Sequence, residues 1–75
     1  MKYNEQIREL REGHSLTQEN VAKLLHVGQR TYSDYESGKT RIPIDSLIIL
    51  ARYYDVSMDY ISGISNMMNI YPSHG

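Results

Sequence analysis

The sequence predicts an all-α domain of five short helices. Three observations carry that prediction. Apolar side chains recur at spacings of three and four, residues able to cap a helix precede those runs, and Gly and Pro punctuate helix ends rather than strand turns. At 75 residues the chain has room for one small core, near the lower limit at which burial stabilises a fold without disulfides or metal.

Tyr3, Ile7 and Leu10 stand four and three apart, so Tyr3 to Glu12 reads as a first amphipathic helix ending near Gly13. His14 and Ser15 leave a short connection, as between antiparallel helix neighbours. A second helix is capped at Thr17, with Leu16 closing onto Val21 as a hydrophobic staple. Asn20 stands where a capping box has Glu or Gln, so this cap reads as incomplete. Val21, Ala22, Leu24 and Leu25 form one apolar face. A third helix is capped at Gly28, with Val27 closing onto Tyr32, and Tyr32 and Tyr35 face the same core. Gly38 suits a left-handed C-cap, and KTRIP behind it reads as a polar loop with two cations.

Pro43 suits the opening of a fourth helix, whose core side carries Ile44, Leu47, Leu50, Ala51 and Tyr54. Ile48, Ile49 and Tyr53 extend its apolar surface beyond one stripe, more than a helix with a solvated far side carries in a monomer. Val56, Ser57 and Ile61 repeat the staple and cap for a short fifth helix ending near Gly63. The domain thus spans residues 1–63. Residues 64–75, with Ile64, Met67 and Met68, show no clear period. They read as a tail that packs on the fourth helix, contributes to a dimer or stays loose.

From Leu16 to Gly38 the pattern is two short helices joined by a tight turn, a helix-turn-helix. Outward positions of its second helix are Gln29, Arg30, Ser33 and Asp34, short or planar polar groups suited to base edges in a major groove. Arg30 sits in the first turn, where the helix dipole favours Asp or Glu. Glu19 and Asp59 follow that rule at equivalent places, and a local rule broken in one helix often marks function. A guanidinium there pairs bidentately with guanine or grips a phosphate; the competing reading is a solvated surface arginine. Thr17, Gln18, Thr31, Lys39, Thr40 and Arg41 are the candidates for the sugar-phosphate backbone, against a reading as ordinary exposed polar groups.

Composition excludes several other classes. The net charge of −1 is not the basic footprint usual for phosphate neutralisation. Its distribution answers part of that objection: through Arg41 there are seven Lys or Arg against six Asp or Glu, and from Ile42 onward one against three. With no Cys, neither a disulfide framework nor a thiolate metal site is expected, which fits a reducing, cytoplasmic setting. No apolar run reaches membrane-span length, and MKYNEQIREL is too polar for a secretory signal. His14, His26 and His74 lack metal-site spacing and no Gly-rich phosphate loop occurs, so neither enzyme chemistry nor a cofactor is expected.

Taken together, IRELRE, LTQENVAKLL, TYSDYESG with KTRIP behind it, and LARYYDVSMDYISG give the chain its resemblance, from about Ile7 to Gly63, to the Cro and lambda-repressor type of helix-turn-helix domain. This is the Xre-like family of bacterial and phage regulators. The resemblance implies a compact five-helix lambda-repressor-like fold and sequence-specific binding of double-stranded DNA by a small transcriptional regulator, a repressor. It implies Gln18 and Lys39 to Arg41 on phosphates, Gln29, Arg30 and Asp34 toward bases with Ser33 weaker, and an ion pair between Arg11 and Glu36.

Two departures stand in the turn: His26 replaces the usual glycine and Gly28 the usual capping Ser or Thr. His is enriched at positive φ and Gly is a tolerated N-cap, so the turn survives at reduced stability. Asp34 near phosphates is repelled unless it accepts from cytosine N4. One short reader on a net negative chain gains little from general charge attraction, so a homodimer on a roughly palindromic operator is expected, with half-sites about 34–36 Å apart. Its candidate surface is Ile48, Ile49, Tyr53, Tyr60, Ile64, Met67 and Met68. The rival is an interaction module whose fourth helix and tail bind a protein partner such as a toxin.

Overall fold

In the computed structural model, which describes residues 2–63, each helix contributes one fully buried side chain to a shared centre. These are Ile7 of α1 (Tyr3–Gly13), Val21 of α2 (Gln18–Leu24), Tyr32 of α3 (Gln29–Ser37), Leu50 of α4 (Ile44–Tyr54) and Ile61 of α5 (Met58–Ile61). Helix α3 packs against both α1 and α2, and α5 against α1 and α4. Among the described residues there is no strand. Ile64, Met67 and Met68 lie outside the described residues.

The local rules that start the helices operate as expected at several places. Ser57 Oγ accepts from Tyr60 N at 3.0 Å, with Val56 and Ile61 buried on either side of the cap. Leu16 and Val27, the two staple residues, pack partly buried against the core. Gly38 takes φ 82° at the end of α3, and the next two amides, of Lys39 and Thr40, donate to Asp34 O.

Four details differ from expectation. The α2 cap is complete: Thr17 Oγ1 accepts from Asn20 N and Asn20 Oδ1 accepts from Thr17 N, each at 3.0 Å, because the shorter Asn amide still reaches back to the cap. Helix α1 ends at Gly13 as expected, but the left-handed residue that reverses the chain is Ser15, φ 59°. There Leu16 N donates to Arg11 O and Arg11 Nη1 to Leu16 O, so both strands of the turn are tied to one residue. Ile44 is 62% exposed rather than core, since it opens α4 beyond the reach of its neighbours, and Ile42 of the supposedly polar loop is buried in its place. Finally, Pro43 precedes α4 as its N-cap, with extended ψ, instead of opening it.

Candidate nucleic-acid interface

The turn between α2 and α3 sets how the two helices present their outer faces. His26 holds φ 60° and its amide donates to Lys23 O, while Val27 N reaches back to Ala22 O. Gly28 then takes the extended N-cap conformation with no side chain to cap α3. Tyr32 and Tyr35 turn inward, edge to face with ring centroids 6.2 Å apart. Gln29, Arg30 and Thr31 are left exposed, and Ser33 and Asp34 half-buried beside them. Helix α3 is also the one helix among the five without an acidic residue in its first turn; Glu5, Glu19, Asp45 and Asp59 occupy the others.

Beneath this face, Arg11 and Glu36 meet. Arg11 Nε donates to Glu36 Oε2 at 2.7 Å and Nη2 to Oε1 at 3.1 Å, a two-pronged geometry that fits guanidinium to carboxylate. The Glu36 side chain is 3% exposed and that of Arg11 13%. Gln18 Nε2 donates to the same Oε1 at 3.1 Å, and Asn4 Nδ2 to the Glu36 carbonyl at 3.2 Å. Burial alone would raise the Glu36 carboxyl, but its hydrogen bonds, led by that from Arg11, outweigh burial and hold it below the ordinary value. The hydrogen bond to Glu36 correspondingly raises Arg11. Tyr32 Oη is buried near this carboxylate without meeting hydrogen-bond geometry; burial first, then Glu36, push the phenol well above its usual range. Tyr54 is pushed up to about 12, again by burial first and the Glu36 charge second.

The remaining candidates lie around this frame. Thr17 and the loop Lys39, Thr40 and Arg41 are exposed. That loop is held by its amides on Asp34 O and by Ile42, whose N–H donates to Tyr3 Oη at 3.2 Å. Gln18 is half-buried, with one amide hydrogen committed to Glu36. On α4, Ile49 and Tyr53 are 40% and 51% exposed; Ile48 and Tyr60 are half-buried, Tyr60 packed on the core. Spacing does not single out Asn4 or buried Gln6, whose Nε2 donates to Tyr60 O at 2.9 Å. Among the described residues no cluster of three or more His, Asp or Glu is placed to hold a metal, and no helix is long and apolar enough to cross a membrane.

Residues 7–61 match the helix-turn-helix family. The chain belongs to that family, the Cro/C1-type helix-turn-helix regulators. It is 42% identical over 64 residues to the HTH-type transcriptional regulator YobD of Bacillus subtilis (strain 168), which covers 85% of this chain and 57% of that protein. To the HTH-type transcriptional activator BcrR of Enterococcus faecalis it is 37% identical over 59 residues, 79% of this chain and 29% of that one. Among solved structures, a transcriptional regulator from Listeria innocua superposes with TM-score 0.81 at 32% identity, covering 96% of this chain and 65% of that chain. The P22 c2 repressor in complex with a synthetic operator superposes with TM-score 0.76 over 87% of this chain and 98% of that one; at 23% identity it speaks for the fold alone. The chain spans between 29% and 57% of the length of its curated relatives. Membership of this helix-turn-helix family makes residues 7–61 a DNA-binding module.

Proposed function

We propose that this domain represses transcription by binding specific double-stranded DNA, with α3 lying in the major groove. The observation that carries the reading is the asymmetry of α3: Tyr32 and Tyr35 are buried, Gln29 and Arg30 are exposed at its start, and no acidic group there repels phosphate. Arg30 and Gln29 read base edges, Ser33 and Asp34 line the groove behind them, and Thr17, Gln18, Thr31 and Lys39 to Arg41 hold the backbone. The domain acts in the cytoplasm as a two-fold dimer on a roughly palindromic site. Exposed Ile49 and Tyr53, with Ile48 beside them, offer α4 as the contact surface.

The test is selection of preferred duplexes from a randomised pool, followed by mobility shift of wild type, Arg30→Ala and Lys39→Ala. A bidentate arginine contact contributes ~1–3 kcal/mol of discrimination. Arg30→Ala is expected to relax preference at one base pair of each half-site, and Lys39→Ala to weaken all sequences alike. Selection of no common sequence, or preference unchanged in both Arg30→Ala and Gln29→Ala, would overturn the assignment of α3 as reader.

A further inference from the structure

We infer that residues 64–71 of the chain fold back, within the same molecule, into the apolar groove between the start of α4, the end of α5 and Tyr3 of α1. The groove has a volume of about 590 Å³ and is lined by Tyr3, Ile42, Pro43, Ile44 and Leu47, with Arg41 and Ser62 as its polar members.

The walls of this groove are set by the fold itself. Tyr3 Oη accepts from Ile42 N at 3.2 Å, which ties the chain ahead of α4 to α1, and Ile42 and Leu47 are buried. Ile44 is 62% exposed, more than Ile49 or Tyr53. Nothing local asks for an isoleucine there, since the first turn of a helix favours Asp or Glu. An apolar side chain that open, continuous with a groove of apolar neighbours, marks a contact surface. Arg41 does not spoil it, because its stem can lie along apolar side chains with the charge in water.

Three observations name the occupant. Ser62, which lines the groove, stands one residue before Gly63, so the chain that follows leaves from the groove itself. Gly63 takes φ 89° and its N–H donates to Tyr60 O at 3.1 Å, the left-handed close that turns a chain back over the helix it has left. The same close at Gly38 brings the amides of Lys39 and Thr40 back onto Asp34 O. Residues 64–71 also have the required composition: Ile64, Met67, Met68, Ile70 and Tyr71 are apolar and no charged residue interrupts them. Methionine in particular fills irregular apolar space.

Length alone does not choose this face. Eight residues extend to roughly 26 Å, against roughly 16 Å for the 11 residues of α4. The rival groove beside Tyr53 is lined by Leu16, Asn20, Val21, Lys23 and Leu24, and by no residue of α5 or the turn after it, so the exit turn does not deliver the chain there. A segment tethered at the rim also acts at the high effective concentration of a short linker, an advantage that a second copy lacks. Seated in this way, it leaves Ile49 and Tyr53 uncovered.

The experiment reads nuclear Overhauser contacts between methyl groups of Met, Ile and Leu in the full chain. Contacts are expected from the Met67 or Met68 methyl to those of Ile44 and Leu47. In a mixture of differently labelled chains they should stay within one molecule. Ile44→Asp places at the start of α4 a residue that this position favours. It should abolish the contacts and move both methionine methyls to the position of a free methionine, while Met58, packed on the core, keeps its own and reports that the domain is folded. Ile49→Asp leaves the contacts in place. Absence of contacts to Ile44 and Leu47, contacts to Ile49 or Leu24 instead, or contacts found only between chains would each overturn the inference. So would contacts that survive Ile44→Asp, or a release produced equally by Ile49→Asp. None of these outcomes bears on the assignment of α3 as reader.

Discussion

The two junctions that fix α3 are built on opposite principles. Where α1 meets α3, the Arg11–Glu36 pair joins Gln18, Asn4 and Leu16 O in directional bonds of 2.7 to 3.2 Å. Where α2 turns into α3, a non-glycine residue holds φ 60° and the helix begins on a glycine with no side-chain cap. The first junction is over-determined; the second carries two local choices that each weaken it. The difference teaches that the orientation of α3 depends chiefly on its far end. Glu36 locks the C-terminal turn to α1, so the N-terminal turn, which carries Gln29 and Arg30, is left with the weaker local support.

Breaking the strong junction gives the largest expected effect. Removing one partner of a buried ion pair leaves the other charge uncompensated and costs about 3–5 kcal/mol. Arg11→Ala and Glu36→Ala should each lower the urea midpoint by a large fraction of the domain's stability, and the double variant should lose far less than the sum. Small, additive losses would show that the two junctions are equal in weight.

The same pair should respond to acid. The Glu36 carboxyl is held below its ordinary value in the folded state, so the native form binds its proton less readily than the unfolded chain does. Its contribution is fully present above the ordinary carboxylate value and is lost as pH falls through the lowered one. The tyrosines have the opposite sign. Tyr54, pushed up to about 12, favours its neutral form in the fold, so stability should fall as pH rises from about 10, the usual phenol value, toward 12. Urea midpoints measured across pH check both limbs, and Tyr54→Phe should make the alkaline limb shallower.

How much of this was legible from the sequence follows the distance over which each feature is determined. Caps and staples at Thr17, Ser57 and Val27 are settled by residues three to five positions away, and the spacing exposed them. Ile42 escaped because its burial and its bond to Tyr3 Oη depend on a partner 39 positions away, which no local pattern of KTRIP reveals. Ile44 obeyed the α4 period yet lies outside the core, since periodicity assigns a face but not how far the neighbours extend along it. The Arg11–Glu36 pair, 25 positions apart, was visible through family resemblance alone. On the recognition side, Gln29, Arg30 and Thr31 were legible as exposed, but the internal bond of Gln18 was not.

The weak junction can be improved at either of its two residues, with smaller effects. His26 keeps a left-handed backbone that disfavours an L side chain by ~1–2 kcal/mol, part of which a glycine would return as unfolded-state entropy. His26→Gly should therefore raise stability by roughly 0.5–1 kcal/mol. A drop on thermal unfolding would show that the imidazole makes a compensating contact.

Gly28→Ser gives the smallest and most discriminating change. Gly28 has φ −72° and ψ 157°, an extended geometry that any L residue adopts, and a Cβ built there meets nothing within 4 Å. Glycine's freedom is thus not required at this position. A serine hydroxyl can accept from an amide in the first turn of α3, as Thr17 Oγ1 and Ser57 Oγ do for α2 and α5. The expected gain is a few tenths of a kcal/mol, because glycine is itself a tolerable N-cap. The informative measurement is amide hydrogen exchange at Arg30 and Thr31. Added protection confined to those amides, with a global midpoint only slightly higher, would place the local weakness at the start of α3. Equal protection across all five helices would instead show that the turn already shares in global unfolding, and the contrast between the two junctions would fail.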